Sequence, residues 1–315
     1  MHNSETLVCG ATASTVIASP LSAGLKILAY LIGTVVLGAA FAPWLFWVGQ
    51  SLSGYKFLGF LANTDFQRFF NRSVLISALV LLIPALRSIG METFQHLGLR
   101  RNPHRIQHLI GGFLIAVCTL GALGGSLVGF GVFELKSPVP WNLLPPILGT
   151  AITVAIIEEA FFRGAMLGLA RQTIQNVPAA IFVSALFSGV HFLSPPRDQI
   201  AVVHWYSGFE LLPHALWRFS DPSAVLGGFC TLGILGLILA HAALRTSSLW
   251  LGIGIHSGLI FAKMGFNKIA KKLQDITPWF SGDITVGIGS ILVMLFLWLL
   301  IWVTYLRGKS DPNRA

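Results

Sequence analysis

Three ionisable side chains interrupt an otherwise apolar run. In TAITVAIIEEAFFRGAML, Glu158, Glu159 and Arg163 fall well inside a helix of span length. Each such residue near a helix centre costs about 2.5–3.5 kcal/mol on insertion scales, so three together would cost up to about 10 kcal/mol before pairing. Packing alone does not justify that penalty; these side chains must be compensated, and their types suit acid–base work. Glu159 and Arg163 are four apart, one turn along the same face, which is the spacing of an ion pair. Glu158 is 100° round from Glu159 and about 140° from Arg163. One carboxylate is therefore held by the cation, and the other is left facing the bundle interior, where it can serve as a general base. A buried ion pair that merely fixes helix packing accounts for Glu159 and Arg163 better than for Glu158.

Two histidines extend the pattern. In SALFSGVHFL, Phe187 and His191 lie four apart on one helix face. Glu158 lies 13 residues before the loop at Arg171, and His191 lies 14 residues after the helix start at Val177, so at 1.5 Å per residue both sit about 20 Å from one membrane face. On adjacent antiparallel helices they share a level. His256, in TSSLWLGIGIHSGLIFAK, follows Gly252 and Gly254 and precedes Gly258, glycines that allow close helix contact. Measured from Ser248 it is only about 12 Å deep, a poorer match unless its helix starts deeper. His241 is also intramembrane and is read as an interhelical hydrogen-bonding residue; His204 and His214 are loop residues without a chemical role.

EEAFFR (Glu158 to Arg163), FSGVH (Phe187 to His191) and His256 after SSLW, in that order over about 100 residues, resemble the three motifs EExxxR, FxxxH and HxxxN/D of the CPBP family. These are the CAAX prenyl endopeptidases and bacteriocin-processing intramembrane proteases, also called Abi. The resemblance implies that Glu158 activates water, that His191 and His256 complete the site, and that Glu159 and Arg163 support it. One position departs: the family has Asn or Asp four residues after its last histidine, and here that residue is Ile260. Ser257, His241 and Asn267 are the candidate substitutes.

Two mechanisms follow. Either Glu158 is the base and the histidines donate hydrogen bonds without metal, or His191, His256 and a carboxylate hold zinc with an open position. The metal-independent form is preferred, and a polar cavity opening to one membrane face is expected. The expected activity is endopeptidase cleavage of a membrane-associated protein or peptide substrate, with prenylated CAAX proteins, signal-bearing precursors and sorting-tagged C termini as family candidates. The rival reading is a non-catalytic polytopic protein, a transporter or an immunity or scaffold protein; transport would call for two related halves, and none is found.

The elements that must position these residues are membrane helices. Apolar residues make up 54% of 315 positions and charged ones only 10%, too little charge to wet a globule of this size. The apolar runs approach or exceed the ~20 residues needed to cross ~30 Å of hydrocarbon. They lack barrel-strand alternation, so they are helices. The expected fold is an all-α polytopic bundle of about eight transmembrane helices: about 25–49, 73–92, 108–133, 143–170, 177–193, 223–244, 247–264 and 284–306. It forms a single domain over 1–315, with a catalytic core at about 143–264 and a polar tail at 1–24 that does not read as a signal peptide.

The loop at about 194–222, with Trp205, Tyr206 and Trp217, is expected on the bilayer surface, and KMGFNKIAKKLQ (Lys263 to Gln274) as a short basic interfacial helix. Cys9, Cys118 and Cys230 have no metal spacing and read as unpaired buried cysteines. The net charge of +9 is assigned to lipid headgroups and orientation rather than nucleic acid. Arg100, Arg101, Arg105, Arg307, Lys309 and Arg314 favour both termini inside, against Lys263, Lys268, Lys271 and Lys272. The expected location is a bacterial inner membrane.

Overall fold

The computed structural model describes residues 20–55, 59–62, 64–88, 102–171, 174–193, 195–196, 199–280 and 283–307. The chain is an all-α polytopic bundle. Helix α1 (Pro20–Leu52) pairs with α2 (Phe66–Ser88). Next come α3 (Arg105–Gly129) and α4 (Leu144–Glu159), and α4 continues through a π-helical stretch, Ala160–Met166, into α5 (Leu167–Ala170). Helix α6 (Asn176–Val190) returns beside it. A short α7 (Ser207–Glu210) and a 3-10 stretch (Pro213–Ser220) lead to α8 (Pro222–Thr246), α9 (Trp250–Ile269) and α10 (Ile288–Ile301).

Among the described residues, six segments are long and apolar enough to cross a membrane: Gly24–Leu52, Phe66–Ala85, Arg105–Gly129, Trp141–Ala170, Val225–Thr246 and Ile288–Leu306. Their outward faces carry side chains such as Phe41, Val80, Leu292 and Phe296, each more than half exposed. Exposed apolar surface of this kind is stable against lipid and not against water, so the protein is an integral membrane protein.

The expected fifth and seventh spans are helices of a different kind. Helix α6 has only 15 residues. Helix α9 is long enough but is buried at every residue from Leu251 to Leu259, enclosed by α3, α4 and α8. A helix that faces protein all round need not be uniformly apolar, so α9 can carry glycines, a serine and a histidine. Gly254 makes the α3–α9 approach possible, because a Cβ there would run into the Leu109 backbone carbonyl.

Other expectations change with the fold. Lys263–Gln274 is not a separate interfacial helix: α9 runs on to Ile269, where the backbone turns extended at Ala270 (φ −116°, ψ 156°) and enters strand β2 (Ala270–Lys272). That strand pairs antiparallel with β1 (Phe133–Leu135), with Glu134 opposite Lys271. Helix α1 begins at Pro20, so the expected tail is helical at its end, and residues 1–19, Cys9 among them, lie outside the described residues. So do Arg100, Arg101, Lys309 and Arg314, four of the residues bearing on orientation. Cys118 is unpaired but exposed, on the outer surface of α3, and Cys230 is half-buried. Residues 199–222 do not simply lie on the surface: Trp205 and Trp217 are exposed, while Ser207 and Leu211 are fully buried and Gly208 abuts the backbone of Ala39 on α1.

Candidate active site

Glu158 and Glu159 end the α-helical part of α4, where the π-helical stretch begins. π-Bulges inside α-helices recur at functional sites because they re-aim the side chains around them. Glu159 is fully buried, and its Oε1 accepts two hydrogen bonds: from Arg163 Nη1 at 2.8 Å and from His256 Nδ1 at 2.9 Å. Its other oxygen lies against α9 at Gly252, where a Cβ would come within 2.9 Å of Oε2. The Arg163 guanidinium also donates from Nη2 to the Gly236 carbonyl at 3.3 Å and stacks 4.4 Å from the Phe187 ring centroid. The ion pair read from the i, i+4 spacing is present, and the carboxylate oxygen that holds Arg163 also orients His256.

His191 caps the C-terminal end of α6, and its Nδ1 donates to the Phe187 carbonyl at 2.7 Å. A carbonyl or carboxylate oxygen can only accept, so both imidazoles carry hydrogen on Nδ1. Both Nε2 atoms are thereby turned towards Glu158, and each lies 3.7 Å from its Oε2. That separation exceeds direct hydrogen-bond reach, and Glu158 Oε2 has no hydrogen-bond partner among the described residues. Phe187, fully buried, fills the space behind: its ring is 4.5 Å from that of His191 and 5.7 Å from that of His256. Two imidazole nitrogens of fixed orientation and one carboxylate oxygen thus converge on one point.

Counting helical rise pairs Glu158 with His191 but leaves His256 too shallow. The structure brings all three together because α9 starts inside the protein: Ser248 and Leu249, just before it, are 4% and 2% exposed. His241 stays apart, accepting a hydrogen bond at 3.0 Å from Trp298 Nε1 on α10.

The three groups line a cavity of ≈ 280 Å³. Thr150, Val154 and Glu158 follow one another down α4, and His256, Ile260 and Lys263 run the opposite way along α9. The cavity therefore extends from the Glu158–His256 level towards the end where α4 begins and α9 finishes. Its wall is largely apolar, with Leu120, Leu235, Leu259 and Met294, and the hydroxyl residues Thr150, Thr231 and Thr285 are spaced around it. This corrects the expectation of a polar cavity: helix-forming membrane segments supply aliphatic side chains, and polarity is confined to the chemical groups and the mouth.

Ile260 lines the cavity one turn beyond His256, and none of the three candidate substitutes does. The Ser257 hydroxyl donates to the carbonyls of Ile253 and Gly254, His241 is engaged with Trp298, and Asn267 is exposed. Among the described residues no group of three or more His, Cys, Asp and Glu side chains is arranged to hold a metal ion. Sequence reasoning missed Lys263 and the threonines; their signal was positional, Thr150 eight residues before Glu158 and Lys263 seven after His256.

Residues 140–262 match the family model for type II CAAX prenyl endopeptidase Rce1-like proteins. The matched segment runs from just before α4 to within α9 and contains all five of Glu158, Glu159, Arg163, His191 and His256, so the likeness to CPBP-type CAAX proteases read from the three motifs holds over this segment. No curated protein and no solved structure matches the chain significantly.

Proposed function

We propose that the protein is an intramembrane endopeptidase that hydrolyses a peptide bond in a membrane-associated protein by a metal-independent glutamate mechanism. Glu158 takes a proton from water as the water oxygen attacks the scissile carbonyl carbon. His191 and His256 face the same point through Nε2, and an Nε2–H there stabilises the oxygen that becomes negative in the tetrahedral intermediate. The proton held by Glu158 then passes to the amide nitrogen, the C–N bond breaks, and a carboxylic acid and an amine leave. Glu159 and Arg163 are positioning residues: through Oε1, Glu159 fixes the orientation of His256. The observation that carries this reading is the convergence of both Nε2 atoms on Glu158 Oε2 at 3.7 Å, in the wall of a cavity.

The aliphatic wall suits a substrate segment that is itself apolar or lipid-modified. Of the family's substrate classes, a prenylated CAAX chain end accords with the description of the matching family model; signal-bearing precursors and sorting-tagged termini are the other candidates. A bacterial inner membrane is the proposed location.

The test is cleavage of membrane-anchored reporters by purified protein, with Glu158→Ala and His191→Ala as controls and a parallel arm in a strong chelator. The mechanism requires cleavage that both substitutions abolish and the chelator leaves intact. Full activity in Glu158→Ala would remove the proposal and favour a non-catalytic or differently catalytic membrane protein.

A further inference from the structure

Lys263 is the one lysine or arginine among the described residues lining the cavity that Glu158, His191 and His256 share. It lies seven residues after His256 on α9, which at 100° per residue returns it to within about 20° of the same face, and at 1.5 Å per residue sets it about 10 Å further along. Its side chain is 41% exposed, and its Nζ lies 3.1 Å from Asp283 Oδ2. The other oxygen of Asp283 is taken up within its own turn, accepting from Thr285 N at 3.1 Å and Thr285 Oγ1 at 3.2 Å. Between Lys263 and the imidazoles the wall is Leu259 and Ile260. A half-exposed ion pair of this kind contributes little, so a competing anion can displace Asp283 at small cost.

We propose that Lys263 is a specificity-determining residue that takes a carboxylate of the substrate away from Asp283 and so sets which bond reaches Glu158. This rests on the protease reading for its role in cleavage, though not for the binding itself. At about 3.3–3.6 Å per extended residue, 10 Å corresponds to about three residues between the bound carboxylate and the bond that is cut. The carboxylate can belong to a chain terminus or to an acidic side chain; the chemistry is shared, and the test separates the two.

Binding is measured with the full-length Glu158→Gln protein in detergent, so that turnover does not interfere. The probe is a fluorescently labelled leucine–alanine hexapeptide in three forms: a free C-terminal carboxylate, a C-terminal amide, and the amide with one internal glutamate. The anionic forms bind about tenfold more tightly than the plain amide, the scale of one charge-assisted hydrogen bond. Lys263→Gln removes the difference, Lys263→Glu shifts preference to a lysine-bearing peptide, and Asp283→Asn tightens the anionic forms a few-fold. Preference for the free carboxylate alone assigns the site to a chain terminus; preference for both anionic forms assigns it to any acidic residue. Equal binding of the three forms, no binding at all, or a preference that survives Lys263→Gln overturns the proposal. An anion preference that depends on Lys263, in a wild-type protein that cleaves no reporter, would instead refute the protease reading and leave the anion site standing.

Discussion

Glu158→Gln and Glu159→Gln are isosteric changes at adjacent residues, and the geometry gives them opposite consequences. Both hydrogen bonds to Glu159 fall on one oxygen, and glutamine keeps that acceptor while losing the charge. Arg163, 4% exposed, is then a buried cation without its ion-pair partner. Stripping one charge from a buried pair costs about 3–5 kcal/mol, and the retained hydrogen bonds put this case at the lower end. At 1.4 kcal/mol per factor of ten, that is about a hundredfold in the unfolding equilibrium. Glu158 Oε2 has no hydrogen bond to lose among the described residues, so Glu158→Gln destabilises much less than Glu159→Gln. Removing the general base lowers turnover about 10²–10⁴-fold. The assay pairs SDS-induced unfolding in mixed micelles with reporter hydrolysis on the same preparations. Unfolding of Glu158→Gln as readily as Glu159→Gln would refute these assignments, and so would near wild-type turnover in Glu158→Gln.

Further outcomes follow from the same geometry. Gly254→Ala drives a methyl into the Leu109 carbonyl and costs about 1–3 kcal/mol by parting α3 from α9. Gly121→Ala, with nothing within 4 Å among the described residues, is neutral; equal thermal stability of the two variants would count against the packing described. His241→Phe forfeits the Trp298 hydrogen bond, about 0.6 kcal/mol for an interhelical bond in a membrane, and leaves hydrolysis within twofold of wild type; a tenfold loss would move His241 into the site.

The chemistry is more legible in the sequence than its surroundings. The Glu159–Arg163 pair follows from a spacing that one helix enforces by itself, and the Glu158–His191 level follows from counting rise along two helices that share a short loop. His256 resists the same count because α9 starts at buried residues, and apolar periodicity cannot tell a lipid neighbour from a protein one. The bond from His256 to Glu159 joins residues 97 apart, which no local pattern encodes. The π-helical stretch beyond Glu159 likewise has no composition signal. Lys263 reads with its basic neighbours as part of an interfacial helix, although its position seven residues from His256 already puts it on the face that carries His256. The β1–β2 pairing, which ends α9, is invisible because three-residue strands carry too few alternations to register.

The brevity of α6 bears on the lipid around the site. Fifteen residues rise about 22 Å, some 8 Å less than the ~30 Å hydrocarbon layer, and Val177, Ile181 and Phe182 present an apolar outer surface on its first half. An apolar helix this short is accommodated by local thinning of the bilayer, and His191 caps its C-terminal end. Thinning of that kind brings headgroups and water closer to the His191 end of α6 and, on the proposed mechanism, shortens the stretch of hydrocarbon that an unwound polypeptide must cross with its amides unsatisfied.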